Sequence, residues 1–292
     1  MKRRSVLLLC LSLFFPAASD AKEEILAVLS SDMGPYQEAY KGFQEVFGQP
    51  VEVKQLAAGP LQFRGQPRLV ITFGGKAAMQ KYPNGSILIY CMAPGTFVGL
   101  SDHPGISVSV SMMPKPSDML RKLRDIQPGL KRLGVLWLSP SFEVYAQELR
   151  RAALPDGIEI LAEKLEKREG LPTRLRSLQG RVDALWLPPD PLLLADSANV
   201  VVMAQFSWAN HIPLYSAVPG LAEQGAVASL SSSYREIGHA AGHAALSAMA
   251  GQPLPAEVYP ETSEATINTE TAAKTGITIP KNVLDNVQKV QP

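Results

Sequence analysis

Residues that could bind a small molecule lie in short polar segments, each of which follows an apolar run. Ser30, Ser31 and Asp32 come directly after the run 25–29, and Tyr36 lies a short step further on. Hydroxyl groups and backbone N–H groups at the start of a helix suit a carboxylate or another anionic group. The polar residues could equally cap that helix, and Tyr36 could either stack on a planar ligand or pack in a core.

A glycine pair marks a second candidate segment. Phe73 ends an apolar run that begins at Leu69, and Gly74 and Gly75 follow it. Because glycine has no side chain, its backbone can adopt positive φ and a ligand can approach the main chain closely. The pattern fits either a ligand contact or an ordinary tight turn. No G-x-x-x-x-G-K-S/T loop surrounds the next residue, Lys76, which argues against a nucleoside triphosphate site.

The second half of the chain repeats this arrangement. Ser139, Ser141 and Phe142 follow a predicted strand that ends at Leu138. Tyr145 lies one helical turn beyond Ser141, so the segment again combines hydroxyl and aromatic groups at the start of a predicted helix. We predict that Ser139, Ser141 and Phe142 contact a ligand.

Two further segments in this half also follow strands. Asp190 lies in a proline-rich loop, where its carboxylate could pair with a ligand ammonium group or cap a helix. Tyr215 and Ser216 end another apolar run, and the tyrosine ring could form one wall of a cleft. All these segments together would suit a polar or zwitterionic molecule with an apolar body, such as an amino acid.

These segments must be positioned by a regular fold. Short apolar runs alternate with amphipathic stretches from residue 22 to about residue 250, as in βαβ units that build a parallel sheet. A second set of units begins with an amphipathic helix that contains Met119 and Leu123. Ligands of open parallel sheets bind beyond the carboxyl ends of the strands. We therefore predict an α/β protein with two Rossmann-like lobes, parallel sheets and a ligand cleft between the lobes.

Composition and motifs exclude several classes of protein. The 292 residues are 46% hydrophobic and 19% charged, which is too apolar for intrinsic disorder. The 28 basic and 27 acidic residues nearly balance, so we predict no nucleic-acid partner. The sequence contains no G-x-S-x-G, H-E-x-x-H, C-x-x-C or G-x-G-x-x-G motif. We therefore predict no catalytic activity and no cofactor.

Two features could nevertheless suggest reactive or metal chemistry. Cys91 follows a strand, but a buried inert thiol is the favoured interpretation. Glu236, His239 and His243 share one helix face at spacings that can hold a metal ion. That face also carries other polar residues, which is typical of a solvated surface, so we predict no metal site.

Residues 1–21 have the pattern of an export signal. A basic start precedes an apolar run over residues 6–15, which Pro16 ends before a small-residue stretch. The run is shorter than the roughly 20 residues of a membrane-spanning helix, so a cleaved signal is favoured over an anchor. Cleavage after Ala21 would leave a periplasmic protein.

Five segments form an ordered series along the chain. They are LRDIQPGLKRLGVLW (123–137), VDALWLPPDPLLL (182–194), IPLYSAV (212–218), GAVASLSSSYREIGHAAGHAAL (225–246) and INTETAAKTGITIP (267–280). In this order they resemble the substrate-binding proteins of ABC transporters that have the type I periplasmic fold. Within that family, the resemblance is to the branch associated with tryptophan and tyrosine uptake.

The resemblance implies two lobes joined by three crossover strands that close on a small ligand. It places residues 22–113 and 226–253 in lobe 1, and residues 114–225 and 254–292 in lobe 2. The family usually carries a P-G-G-N-x-T-G turn before the first crossover, and segment 104–107 keeps only its beginning. The resemblance therefore does not fix the ligand.

The resemblance also implies a function. It indicates an extracytoplasmic solute-binding protein of an ABC-type uptake system that captures an amino acid or a similar metabolite, aromatic ones included. Its partners would be the small-molecule ligand and a membrane permease, and we expect a monomer. The alternative is a ligand-sensing periplasmic module that docks on a membrane receptor. A periplasmic hydrolase would need a nucleophile and a base, and the sequence shows no motif for them.

Overall fold

The structure is a computed structural model that describes residues 25–58, 61–63, 65–94 and 103–290. The predicted export signal, residues 1–21, lies outside the described residues. Within the described ranges the strands form two separate sheets, each with apolar clusters packed on both faces. No helix in the described part combines the length and the apolar character that a membrane crossing requires.

The first sheet is built from two distant parts of the chain. Its elements are β1 (Ile25–Leu29), α1 (Gly34–Phe47), β2 (Glu52–Gln55), β3 (Leu69–Phe73), α2 (Gly75–Ala78), β4 (Ile87–Cys91), β5 (Ser107–Val110), α8 (Tyr234–Met249) and β11 (Glu257–Val258). The described strands run parallel in the order β11-β5-β4-β3-β1-β2. Helices α1 and α8 cover one face, and a smaller cluster that includes Tyr82 and α2 covers the other.

The second sheet takes most of the remaining chain. Its elements are α3 (Pro116–Ile126), β6 (Arg132–Trp137), α4 (Phe142–Ala153), β7 (Glu159–Lys164), α5 (Leu171–Leu178), β8 (Ala184–Leu187), α6 (Pro191–Leu194), α7 (Ser197–Asn210), β9 (Leu214–Ser216), β10 (Ala228–Ser231), β12 (Glu264–Ile267), α9 (Thr269–Lys274), α10 (Lys281–Leu284) and β13 (Gln288–Lys289). The strand order is β13-β12-β10-β9-β8-β6-β7, and only the β10–β12 pairing is antiparallel among the described strands. Short 3-10 helices span Leu56–Ala58, Leu154–Asp156 and Arg168–Gly170.

The two mostly parallel sheets confirm the predicted α/β class, but the chain divides between them differently from the prediction. The sequence places residues 226–253 in lobe 1, whereas β10 pairs with β9 and β12 in the second sheet. It places residues 254–292 in lobe 2, whereas β11 pairs with β5 in the first sheet. Strands this short have no distinctive pattern, so their hydrogen-bonding partners decide which sheet they join.

Within the described residues, the chain passes between the two sheets three times. The crossovers run from β5 to α3, from β10 to α8, and from β11 to β12. The hydroxyl of Ser232 in the second crossover donates to the carbonyl of Thr262 in the third at 2.7 Å. Lys122 on α3 donates to the carbonyl of Ser263. These bonds tie the crossover segments to one another and to the second lobe.

Helix α8 begins at an S-x-x-E segment, a sequence that is typical of helix starts. Ser233 is the N-cap residue, and its Oγ accepts a hydrogen bond from the Glu236 backbone N–H at 3.2 Å. The apolar and small residues that follow pack against α1 and the first sheet. The second crossover therefore ends in a well-defined helix start.

Helices α1 and α8 touch backbone to backbone at glycines. A Cβ added to Gly238 would lie 1.9 Å from the carbonyl oxygen of Ala39, and one added to Gly42 would lie 2.1 Å from that of Arg235. A Cβ at Gly242 would lie 2.7 Å from Cβ of Val46. Any side chain at these positions would force the two helices apart.

Charged residues line one edge of the same interface. The Arg235 guanidinium hydrogen-bonds to both carboxylate oxygens of Glu45, and His239 Nε2 lies 2.9 Å from Glu45 Oε2. These contacts, first that with Arg235 and then that with His239, lower the pKa of Glu45 to about 2. His239 Nδ1 lies 2.9 Å from Glu236. Among the described residues, no group of three or more His, Cys, Asp and Glu side chains is arranged to hold a metal ion.

The close helix contact generates a first prediction. Gly238→Ala should lower the free energy of unfolding by roughly 1–3 kcal/mol or more, because overpacking forces the backbones of α1 and α8 to shift. Gly34→Ala is the matched control, since a Cβ at the start of α1 meets nothing within 4 Å. The control should change stability by no more than about 0.5 kcal/mol. Urea unfolding of the two variants measures the difference, and equal midpoints would contradict this account of the interface.

Candidate functional site

A cavity of about 140 Å³ lies where the two sheets face each other. Its walls come from the ends of β4 and β5 and the first crossover, from the start of α4, from the loop after β8, and from β11. The lining residues are Tyr90, Ala93, Pro94, Ser109, Val110, Ser111, Met112, Met113, Ser141, Phe142, Val144, Tyr145, Pro189, Ala256 and Glu257. Both lobes and the first crossover therefore contribute to one cavity.

The second lobe presents two unpaired hydroxyl groups to this cavity. Ser141 is the N-cap residue of α4, yet its side chain caps no backbone N–H. Tyr145 follows one turn later and is 2% exposed. Within the described structure, Ser141 Oγ and the Tyr145 hydroxyl are buried and have no hydrogen-bond partner. Leaving a buried polar group unpaired costs about 1–3 kcal/mol, so both groups are favourable binding points for a polar ligand.

Two carboxylates share one tyrosine hydroxyl beside the cavity. The Tyr259 hydroxyl lies 2.5 Å from Glu148 Oε2 and 3.0 Å from Glu257 Oε2. Glu257 belongs to β11 of the first sheet, Tyr259 follows it in the third crossover, and Glu148 lies on α4 of the second lobe. Because a tyrosine hydroxyl has one proton to donate, it satisfies one of the two carboxylates at a time.

Burial shifts the pKa values of two titratable residues of the cavity wall, Glu257 and Tyr145. It raises the pKa of the Glu257 carboxyl above its ordinary 4.5, and the charge of Glu148 acts in the same direction. Hydrogen bonds from Tyr259 and Ser111 oppose that rise. Burial also raises the pKa of Tyr145, as do the charges of Glu257 and Glu148, so its hydroxyl stays protonated. The cavity wall thus combines hydroxyl donors with a carboxyl group that is held in a low-dielectric setting.

Three predicted residues of the first lobe, Ser30, Tyr36 and Gly74, pack together at the turn before α2. Ser30 Oγ accepts a hydrogen bond from the Ala77 N–H at 2.9 Å and caps the four-residue helix α2. Gly74 has a φ of 103°, and a Cβ there would lie 2.5 Å from Ser30 Oγ and 2.8 Å from Cε1 of Tyr36. The glycine therefore permits Ser30 and Tyr36 to pack against the turn. These contacts give Ser30 and Gly74 a capping and packing role, and their contact with a ligand stays a prediction.

Three other predicted positions lie at the same sheet edge but outside the cavity wall. Ser31 is partly buried, and its Oγ accepts from the Met33 N–H at 3.4 Å. Asp32 is exposed, and Gly75 is the first residue of α2. Their contact with a ligand stays a prediction.

The aromatic rings of two predicted site residues, Phe73 and Tyr215, lie in the cores. Phe73 is fully buried, with its ring centroid 5.8 Å from that of Tyr40 and 6.1 Å from that of Phe43. Tyr215 is fully buried, and its hydroxyl donates to Gln127 Oε1 at 3.0 Å. Side chains at the end of a strand still stand perpendicular to the sheet, so they pack under the helices. The prediction that the Tyr215 ring forms a cleft wall is corrected to a core role, and the predicted ligand contact of Phe73 does not involve its ring, which packs in the core of the first lobe.

Asp190 is also not a ligand group. It is fully buried, and its carboxylate accepts hydrogen bonds from the N–H groups of Leu138 at 2.6 Å and Ser139 at 2.8 Å. The same carboxylate caps α6 through the N–H groups of Leu192 at 3.0 Å and Leu193 at 3.3 Å, and it accepts from the Ser139 hydroxyl. The helix-cap alternative is therefore confirmed, and the predicted pairing of Asp190 with a ligand ammonium is corrected.

The hydroxyls of Ser139 and Ser216 have protein partners as well. Ser139 is 1% exposed and bonds to Asp190. Ser216 Oγ donates to the Leu187 carbonyl and accepts from the Val218 N–H, both at 2.9 Å. Both serines hold loops together at the edge of the second sheet, and the prediction that they contact ligand is corrected.

Of the predicted site residues, Ser141 and Phe142 line the cavity. Sequence reasoning missed Glu257, which lies on a two-residue edge strand, and Tyr90 and Ser111, which lie at the ends of interior strands and carry no distinctive motif. One signal was available for the second lobe. Ser141, Tyr145 and Glu148 are spaced by four and then three residues, which places polar groups along one helix face.

The comparisons with known proteins agree on the family and the fold. A model of the family described as ABC transporter substrate binding protein matches residues 94–291. A tyrosine-binding protein from Clostridioides difficile is 21% identical over 202 residues, which are 68% of this chain and 54% of that protein. The chain thus spans about half the length of this curated relative.

Solved structures share the architecture. An ABC domain in complex with L-Trp from Streptococcus pneumonia has a TM-score of 0.56 at 17% identity, over 92% of this chain and 100% of that one. The ligand-free, open structure of a substrate binding protein with adhesive properties from Clostridium difficile has a TM-score of 0.59 at 16% identity, over 92% and 99%. A conserved domain protein from Vibrio cholerae has a TM-score of 0.58 at 15% identity, over 92% and 100%.

The buried Asp190 carboxylate generates a second prediction. Asp190→Ala should lower the free energy of unfolding by about 3 kcal/mol or more, because buried N–H groups of two loops lose their acceptor together. Asp196→Ala is the matched control, since Asp196 caps α7 through one exposed bond to the Ala198 N–H at 2.9 Å. The control should cost about 1 kcal/mol. Denaturant unfolding tests this, and an Asp190 variant no less stable than the Asp196 variant would contradict it.

Glu257 generates a third prediction, concerning pH. Because its pKa is raised in the folded protein, its stabilising contribution is present below about pH 4.5 and is lost as the pH rises through the raised pKa. Glu257→Gln carries no such charge. The melting temperature of the wild type should therefore fall relative to that of Glu257→Gln as the pH rises from 4 to about 8. Parallel melting profiles over this range would show that burial does not perturb Glu257.

Proposed function

Since the chain belongs to the family of ABC transporter substrate-binding proteins, we propose that it captures an aromatic amino acid between its two lobes. It then delivers the ligand to a membrane permease. The cavity shared by both lobes, with the unpaired hydroxyls of Ser141 and Tyr145, is the observation that carries this proposal.

The size and lining of the cavity support an aromatic ligand group. A volume of about 140 Å³ is close to that of an engineered apolar cavity of roughly 150 Å³ that holds benzene in another protein. Phe142, Met112, Met113 and the ring of Tyr90 supply apolar surface on several sides. The names of two relatives, a tyrosine-binding protein and a domain in complex with L-Trp, point to the same ligand class.

The connections between the lobes support binding by closure. Residues of the first crossover and of β11, just before the third crossover, line the cavity directly. A ligand that contacts both lobes binds the closed arrangement better than the open one and shifts the population toward it. The permease would recognise that closed form.

The remaining parts of the proposal concern the cellular setting. The export signal at residues 1–21 supports an extracytoplasmic location, and the absence of hydrolase and nucleotide-binding motifs from the sequence supports binding without chemical conversion. We propose that the protein acts as a monomer toward one permease.

A ligand titration tests the proposed function and gives a fourth prediction. Purified protein without the signal should bind L-tyrosine, L-tryptophan or L-phenylalanine in calorimetry, and the compound should be recovered unchanged. Tyr145→Phe should weaken binding about tenfold, because it removes a hydroxyl that the ligand would satisfy, without destabilising the free protein.

Tyr215→Phe is the matched control. Its hydroxyl is also buried, but it bonds to Gln127 outside the cavity wall. That variant should lose stability by about 1 kcal/mol and keep its affinity. Failure of all three amino acids to bind would overturn the proposal. Recovery of an altered compound would indicate an enzyme, and binding by a protein that docks on a receptor instead of a permease would favour the sensing alternative.

A further inference from the structure

Two half-buried carboxylates lie together at the cavity, and one of them is part of its wall. Glu257 lines the cavity, and Glu148 shares the Tyr259 hydroxyl with it. Among the residues that the structure describes, no lysine, arginine or histidine forms an ion pair with either carboxylate. A buried carboxylate without a cationic partner is unfavourable unless it takes up a proton or a positively charged group approaches it.

A second observation at the same place points to a ligand. The Tyr145 hydroxyl is buried without a partner, and it is close enough to Glu148 and Glu257 for their charges to act on it. Ser141 Oγ, also unpaired, lies one helical turn away on the same face of α4. The cavity therefore combines a half-buried carboxylate with hydroxyl groups that have no partner among the described residues.

We infer that Glu257, supported by Glu148, is the subsite that binds the ammonium group of the ligand, so that the protein selects primary amines. This inference rests on the proposed function and assigns its specificity. An ammonium group can donate three hydrogen bonds, which matches the Glu257 carboxylate together with hydroxyl oxygens such as that of Tyr145. The pairing replaces the one expected for Asp190, whose carboxylate is fully occupied by the protein.

The position of Glu257 links this charge pairing to closure. Glu257 is held in the first sheet by the pairing of β11 with β5, whereas Ser141 and Tyr145 belong to the second lobe. An ammonium group placed between them contacts both lobes at once. Since charge-assisted hydrogen bonds are roughly twice as strong as neutral ones, this contact would contribute strongly to the preference for the closed arrangement.

Three compounds with the same phenol ring distinguish the contribution of the ammonium group to affinity from that of the carboxylate. They are L-tyrosine, tyramine, which lacks the carboxylate, and 3-(4-hydroxyphenyl)propanoate, which lacks the ammonium. The wild type should bind L-tyrosine, retain measurable affinity for tyramine, and bind the propanoate at least about 30-fold more weakly than L-tyrosine. Calorimetry on the full mature chain measures all three.

Substitution of Glu257 tests the residue itself and gives a fifth prediction. Glu257→Gln should weaken L-tyrosine and tyramine binding about 30-fold and leave the propanoate unchanged, because only the charge pairing is lost. Glutamine keeps the shape and can still accept from Tyr259, so the melting temperature checks that the fold is retained. Glu261→Gln is the control, because Glu261 is an exposed residue of the crossover that follows β11. It should leave the affinity for all three compounds unchanged.

The outcomes separate this inference from the proposed function. If L-tyrosine binds but Glu257→Gln binds it equally well, or the propanoate binds as tightly as L-tyrosine, the ammonium subsite is wrong and the proposed function stands. If tyramine binds through Glu257 and no aromatic amino acid does, the subsite stands and the proposed ligand class is wrong. If none of the three compounds binds, both are overturned.

Discussion

The contact between α1 and α8 decides where the chain can cross between the two sheets. Gly42, Gly238 and Gly242 let the two helix backbones approach so closely that a single added carbon would collide with main-chain or side-chain atoms. Because α8 follows β10 of the second sheet, this contact brings the chain back to the first lobe. Strand β11 then pairs with β5, and Glu257 reaches the cavity. Which residues line the cavity thus depends on how α1 and α8 pack on one face of the first sheet.

A buried carboxylate has a comparable role in the second lobe. Asp190 bonds to the backbone after β6 and to the start of α6, so it fixes two loops at the carboxyl edge of the sheet. The segment that it holds leads directly into α4, which carries Ser141 and Tyr145. The carboxylate that the sequence suggests as a ligand contact therefore acts on the site indirectly, because it positions the segment before α4. Its bonds to N–H groups satisfy a charge that would otherwise be costly to bury.

The cavity combines three features, each of which favours a different part of a ligand. Hydroxyls without partners favour a ligand that accepts or donates hydrogen bonds, and the Glu257 carboxyl favours one that is positively charged. The apolar walls favour a ring between them. An aromatic amino acid, the ligand class proposed above, has a group suited to each of these three features. The first crossover lines the cavity, so a ligand there contacts a connection between the two lobes.

The sequence by itself determined the α/β class, the alternation of strands and helices, and the family. These follow from local information: hydrophobic periodicity, capping residues and an ordered set of segments. Ser141 and Phe142 could be placed at the site for the same reason, since a helix start after a strand has a visible pattern. Only the tertiary structure decided that Phe73, Asp190 and Tyr215 face inward and that Glu257 lines the cavity. The direction of a side chain at a strand end, and the sheet that a two-residue strand joins, depend on partners far away in the chain.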